Sequence, residues 1–208
     1  MKLQIAIDTM DTKEALALVE KVAEWVDIVE VGTPMIMREG MVPVRAIKER
    51  FPQVTVLADT KIVDGGALEC GDAVEAGADI ITVLAISDEA TIEEVVKVAH
   101  ENGRKVMADL ITVTDIPAMA DLLTRLGVDY IGVHTGVDAQ KSGRTPMSDL
   151  QKLLTVVEPE RVAVAGGISL KTLPEYAALC PEILIAGGAL AGAADPAQVA
   201  KAMKEVLA

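Results

Sequence analysis

Short apolar runs alternate with longer stretches of helical periodicity along the whole chain. The short runs predict strands at Leu3–Ile7, Asp27–Val31, Val54–Ala58, Asp79–Leu84, Lys105–Ala108, Asp129–Val133, Arg161–Ala165 and Glu182–Ala186. The stretches between them predict helices over 13–25, 41–50, 65–76, 89–102, 115–126, 147–157, 170–179 and 196–207. Start signals accompany several of these: Asp11 with Glu14 three residues on, Ser87, Ser169, and Asp195 before Pro196. Gly103 and Gly127 fall where helices are capped at their C-terminal ends. Strict alternation of strand and helix implies a parallel sheet. Eight units in 208 residues, 26 each, point to one closed (β/α)8 TIM barrel over residues 1–208. An open doubly wound sheet is the alternative, but no G-x-G-x-x-G follows the first strand.

A faint repeat supports closure. The segments 25–31, 77–83 and 127–133 share the pattern x-x-Asp-apolar-apolar-x-Val, with Asp27, Asp79 and Asp129 lying 52 and 50 residues apart. That spacing is two strand–helix units, as in repeated quarter-barrels. No linker, low-complexity stretch or second domain interrupts the pattern.

Hydrophobic residues make up 51% of the chain and aromatics only 2%, so the core must be aliphatic, the usual filling of buried parallel strands. A net charge of −13 excludes the broad basic surface that nucleic acid or an anionic membrane requires. Cys70 and Cys180 fall in predicted helices without metal-ligand spacing, and read as buried thiols of a reducing compartment. With no basic-then-apolar leader and no apolar run near membrane length, the expectation is a soluble, cytoplasmic protein.

The chemistry gathers at the C-terminal ends of the predicted strands, where barrels of this kind carry their sites. Asp8 ends the first strand, Glu30 lies on the second, and Asp59 and Lys61 end the third. Asp109 ends the fifth, and His134 the sixth. Alternate residues of a strand share a face, so Asp59 and Lys61 should project together. Charges beside apolar runs are avoided unless they are paired or bind a cation, so five such strand ends together mark a site. Asp64, where the chain turns into the next helix, reads from the residues alone as an N-cap. The last two strands end in Gly166–Gly167 and Gly187–Gly188. Backbone N–H groups at such turns can hold a phosphate without a basic surface. The polar, glycine-punctuated loop 134–146 is a candidate lid. His100, on a polar helix stretch, reads as a solvated residue.

The set Asp59-x-Lys61-x-x-Asp64 resembles that of the orotidine-monophosphate decarboxylase suprafamily. Within it, Ala6-Ile7-Asp8, Glu30-Val31-Gly32, Ala108-Asp109-Leu110-Ile111 and His134-Thr135-Gly136-x-Asp138 are similar to the 3-hexulose-6-phosphate synthase family. The resemblance runs from the first strand to the second Gly-Gly pair. It implies a Mg²⁺-dependent aldol reaction of formaldehyde with D-ribulose 5-phosphate, a phosphorylated pentulose, through an enediolate. Glu30 and Asp59 would be the metal ligands, Lys61 the cation facing the enediolate and His134 the proton-transfer group. Asp8 and Asp109 would hold sugar hydroxyls, with Thr135 and Asp138 also at the substrate. Gly166, Gly167, Gly187 and Gly188 would hold the phosphate. The resemblance also implies a homodimer in which Asp64 serves the partner's site. The chain departs from the family at Lys141 and Ser142, where a small pair is usual, and at Ala189, where relatives often place an arginine.

Other readings are less well matched. The 3-keto-L-gulonate 6-phosphate decarboxylases share the carboxylate–lysine set but usually carry an arginine after the histidine, where this chain has Thr135-Gly136. Orotidine decarboxylases have a lysine where Glu30 stands. Pentulose-phosphate epimerases build their metal sites from several histidines, and this chain has two. A catalytically silent phosphosugar-binding barrel would be expected to lack some of Glu30, Asp59, Lys61 and His134.

Overall fold

A computed structural model describes residues 1–208 and forms a closed barrel of eight parallel strands. The strands are β1 (Lys2–Ile7), β2 (Ile28–Val31), β3 (Thr55–Ile62), β4 (Ile80–Leu84), β5 (Lys105–Asp109), β6 (Tyr130–His134), β7 (Val162–Ala165) and β8 (Ile183–Ala186). They neighbour one another in chain order, and β8 pairs with β1 to close the ring. Around them run α1 (Thr12–Val22), α2 (Thr33–Glu39), α3 (Val42–Arg50), α4 (Gly66–Glu75), α5 (Glu89–Glu101) and α6 (Ile116–Arg125). The set continues with α7 (Val137–Lys141), α8 (Met147–Leu153), α9 (Leu173–Ala177), α10 (Gly188–Ala191) and α11 (Pro196–Leu207). No helix is long and apolar enough to cross a membrane.

All eight predicted strands are present, and the periodicity also locates the long helices. Three short helices escape it: α2, α7 and α10 each span seven residues or fewer, about two turns or less, too short to display a helical period. The candidate lid is therefore partly helical. Asp11 forms the full capping box with Glu14, and Asp195 caps α11 by accepting from Gln198 N at 3.0 Å. Gly103 and Gly127 take φ of +65° and +81° just beyond their helices, the left-handed turn that glycine makes at least cost. Other expectations are corrected. Asp88, not Ser87, precedes α5, while the Ser87 hydroxyl donates to Ile62 O. Ser169 closes a turn with Thr172, and α9 begins only at Leu173. Cys180 lies past the end of α9 and is exposed, so only Cys70 is a buried helical thiol. His100 is not merely solvated: its Nε2 lies 2.9 Å from Asp129 Oδ2.

Strand alternation divides the core in two. One set of residues packs outward against the helices. The other packs within the barrel, where Ile28, Leu57, Ile80, Met107, Tyr130 and Ile183 are prominent. Two residues further along the inward face of β2, β3, β4 and β5 stand Glu30, Asp59, Thr82 and Asp109. The apolar filling is thus the floor on which the polar groups rest.

The repeat has a structural meaning at the opposite end of the barrel. Asp27, Asp79 and Asp129 accept from the backbone N–H of Leu3, Val56 and Val106 at 2.8, 2.9 and 2.8 Å, pinning the start of each preceding odd strand. Each also meets a basic side chain from a helix or helix end: Lys204, Lys48 or His100. Asp79 is the most heavily used, because Arg104 joins Lys48, both at 2.6 Å. Asp79→Ala is expected to cost about 2 kcal/mol in urea unfolding, the scale of hydrogen bonds to charged groups, while leaving turnover at permissive temperature intact. An unchanged unfolding midpoint would show that the clamp is dispensable.

Candidate active site

At the C-terminal ends of the strands opens a cavity of about 950 Å³. Its chemistry is organised by Lys61. The Lys61 backbone takes φ +48°, and the pairing of β3 with β4 shifts register between Ala58 and Ile62. Such bulges re-aim side chains beside sites, and a non-glycine residue with positive φ stores on the order of 1–3 kcal/mol. The kink is held by Thr82, whose hydroxyl accepts from Lys61 N and donates to Asp59 Oδ1, both at 2.9 Å. The ammonium then reaches both oxygens of Asp59 at 2.9 and 2.7 Å, and Asp109 Oδ2 at 3.0 Å. Thr33 adds a hydroxyl to Asp59 Oδ2 at 2.8 Å.

Asp109 is the hub between cation and histidine. Its Oδ2 also meets His134 Nδ1 at 2.9 Å, and its Oδ1 accepts from Ile111 N at 2.8 Å. Burial opposes charge on Asp109. The hydrogen bond from His134 and the Lys61 ammonium outweigh it, and its pKa falls to about 2. A permanently charged acceptor on Nδ1 places the hydrogen on that nitrogen and leaves Nε2 as the one that can exchange a proton. Burial likewise opposes charge on Lys61, but Asp59 and Asp109 prevail and raise its pKa, so it stays an ammonium.

Glu30 is in the opposite condition. It is buried beside Asp59, and burial followed by repulsion from Asp59 drives its pKa well above the ordinary carboxylate range. Its one hydrogen-bond donor is Gln4 Nε2, at 2.5 Å. Asp8 is raised for the same two reasons, burial and then Asp59. It sits directly against Gly32, where a Cβ would lie 2.0 Å from Asp8 Oδ1. Only glycine leaves room for the carboxylate there.

The structure brings Asp8, Glu30, Asp59, Lys61, Asp109, His134, Thr135, Asp138, Gly166, Gly167, Gly187 and Gly188 to this one cavity. Asp138 is at its edge, exposed and paired with Lys141 at 2.8 Å. Thr135 is buried with no partner for its hydroxyl, while its carbonyl accepts from Gln140 Nε2 at 2.7 Å. Gly166 has φ +119°, and a Cβ there would stand 2.8 Å from Thr135 O, so the glycine loop packs directly on the segment after His134. Asp64 is not among the cavity residues. It is exposed, its Oδ1 accepts from Gly65 N at 2.7 Å, and Gly65 rather than Asp64 is the N-cap of α4. Sequence reading missed Gln4 and Thr82. Both are uncharged polar residues inside apolar runs with the inward parity of Glu30 and Asp59, and that parity is the signal that could have found them.

No cluster of three or more His, Cys, Asp or Glu side chains forms a ready-made cation cage. The donor set nevertheless suits Mg²⁺, which is commonly held by one or two carboxylates with substrate oxygens and water completing its shell. Glu30 and Asp59 are adjacent acids, and Glu30 has no cation of its own.

A closed barrel gathering an ammonium, a histidine and four carboxylates at its C-terminal mouth, opposite two glycine turns, defines a (β/α)8 enzyme. Residues 1–203 match the Orotidine 5'-phosphate decarboxylase / HUMPS family, and the chain belongs to that family. It is 45% identical to a Bacillus subtilis protein named 3-hexulose-6-phosphate synthase, over 100% of this chain and 99% of the relative. A crystal structure of 3-hexulose-6-phosphate synthase from Salmonella typhimurium superposes with a TM-score of 0.97 at 47% identity, covering 100% and 98% of the two chains. More distant is 3-keto-L-gulonate-6-phosphate decarboxylase from Vibrio cholerae, with a TM-score of 0.85 at 32% identity over 99% and 96% of the chains.

Proposed function

We propose that this enzyme joins formaldehyde to D-ribulose 5-phosphate, giving D-arabino-hex-3-ulose 6-phosphate, and runs the reverse cleavage. The observation that carries the reading is the Lys61 ammonium bridging Asp59 and Asp109, with His134 on the same Asp109 oxygen. The names of the full-length relatives support it. Removing a proton from C1 of a ketose leaves negative charge on oxygen, and a fixed cation in a water-poor site stabilises that charge. Lys61 meets this need. His134 Nε2 accepts the C1 proton and returns one to the new hydroxyl after C1 has attacked the formaldehyde carbon. Asp109, shared by Lys61 and His134, holds the two in register, while Asp8 is open to a sugar hydroxyl. The glycine turns receive the phosphate through backbone N–H groups. Glu30 and Asp59 would hold Mg²⁺, which when bound supplies Lewis-acid polarisation of the substrate carbonyl.

The same reading includes a homodimer. Asp64 lies outside its own chain's cavity, and the segments on either side of it in the barrel expose Met37, Val42, Val63, Leu68 and Ile86. Such apolar exposure suits an interface carrying Asp64 to the partner's site.

Assays of formaldehyde with ribulose 5-phosphate and of 3-keto-L-gulonate 6-phosphate decarboxylation, run side by side, test the function. Condensation is expected to dominate, to vanish with a chelator and to return with Mg²⁺. Dominant decarboxylation would give the activity to the rival reading, and turnover undiminished by chelation would remove the metal.

A further inference from the structure

The phosphate end of the cavity poses an electrostatic problem. The chain carries a net charge of −13, and Asp8, Glu30, Asp59, Asp109 and Asp138 all line the cavity. The glycine turns offer N–H donors but no formal charge. Only two lining side chains are permanent cations, Lys61 and Arg144, and Lys61 is fixed among the carboxylates by Asp59 and Asp109, where the enediolate would form. Arg144 is differently placed. It follows α7 in the loop over the cavity, its side chain 55% exposed, with Nη2 3.1 Å from Asp149 Oδ2. Asp149 also receives Lys152, at 3.2 Å, so it keeps a cation if Arg144 leaves.

The loop that bears Arg144 is joined to the glycine turn after β7. Arg144 N donates to Ala139 O at 3.4 Å. The next residue, Gln140, donates to Thr135 O, and a Cβ on Gly167 would stand 3.6 Å from Gln140 Oε1. Gly166 in turn packs on Thr135 O. Arg144 is thus carried by the segment that touches the turn where the phosphate would bind, on a long side chain with most of its five N–H donors free.

We propose that Arg144 is the phosphate-binding cation of this site, exchanging its contact with Asp149 for the substrate's phosphate. The inference rests on the reading of the substrate as a phosphorylated pentulose. A guanidinium fork matches phosphate oxygens in pairs, and the exchange couples phosphate arrival to placement of the loop over the cavity. The backbone donors orient the phosphate, and Arg144 offsets the surrounding negative field.

The test uses the full-length protein with Mg²⁺, measuring ribulose 5-phosphate kinetics at saturating formaldehyde and competitive inhibition by inorganic phosphate. Arg144→Ala is expected to raise the KM for ribulose 5-phosphate and the inhibition constant of phosphate in parallel, by about 10–100-fold, the worth of a charge-assisted hydrogen bond. kcat at saturation should fall far less, and the KM for formaldehyde should stay put. Arg144→Lys should recover part of the loss, and Asp149→Asn should leave phosphate inhibition as tight or tighter. Wild-type protein that responds to both ligands, with Arg144→Ala responding equally, would overturn the assignment alone. A loss confined to kcat would do so too, making Arg144 a loop-shaping residue. Wild-type protein indifferent to both ligands would overturn the phosphosugar reading and the assignment with it.

Discussion

Lys61→Ala is expected to lower condensation by about 10²–10³-fold, the range for removing one preorganised group that stabilises charge developing in the reaction. No other lysine or arginine reaches the Asp59–Asp109 pair, so no neighbouring side chain replaces its ammonium. The same change should destabilise the fold by about 3–5 kcal/mol, because it leaves buried carboxylates without their counter-charge. The pH dependence separates this from ordinary loss of packing. In the intact protein Asp109 is held down to about 2, so its contribution is fully present above the usual carboxylate range and is lost as pH falls through about 2. Without Lys61, Asp109 loses one of the charges that hold its pKa down, and that pKa rises. The variant's deficit should therefore be largest at neutral pH and shrink as acid protonates Asp109. A deficit independent of pH would exclude the electrostatic account. Mixing Lys61→Ala with Asp64→Asn subunits offers a further readout. If Asp64 works across a dimer, verified heterodimers rebuild one intact site and regain activity; absence of recovery would count against shared sites.

The second large effect belongs to His134. His134→Ala should slow exchange of the C1 proton of ribulose 5-phosphate with solvent by about 10²–10⁴-fold, the usual contribution of a general base. Measured without formaldehyde, the exchange isolates proton transfer from carbon–carbon bond formation. Asp109→Asn should slow exchange too, because it neutralises the acceptor that orients the ring through Nδ1. An unchanged exchange rate in His134→Ala would assign the proton to another group.

Much of this site is legible in one dimension, and the reason lies in strand geometry. A strand's inward face repeats every second residue, so an acid or lysine two places beyond an inward aliphatic must project into the barrel mouth. Glu30 after Ile28, Asp59 after Leu57 and Asp109 after Met107 follow that rule. Thr82 after Ile80 follows it as well, and Gln4 shares the inward parity of Ala6, yet an uncharged polar residue in an apolar run does not announce itself until its partners are seen. The three short helices leave no periodic trace, and Ser87 and Asp88 are equally good caps side by side, so the residues alone do not say which of them precedes α5.

What the sequence determined by itself was the alternation of eight strands and eight major helices, the closed barrel it demands, and the strand ends on which charge gathers. These are local properties, set by the period of apolar residues and by the chemistry of single side chains. Tertiary structure alone decided which charges become partners. The bulge at Lys61 turns its ammonium back onto Asp59 and across to Asp109, 48 residues away. Barrel closure sets His134 on the same carboxylate and leaves Glu30 with a buried amide but no cation. The turn beyond β3 carries Asp64 away from its own cavity. Pairings of that kind depend on register, burial and backbone strain summed over distant segments, and no stretch of the chain contains them.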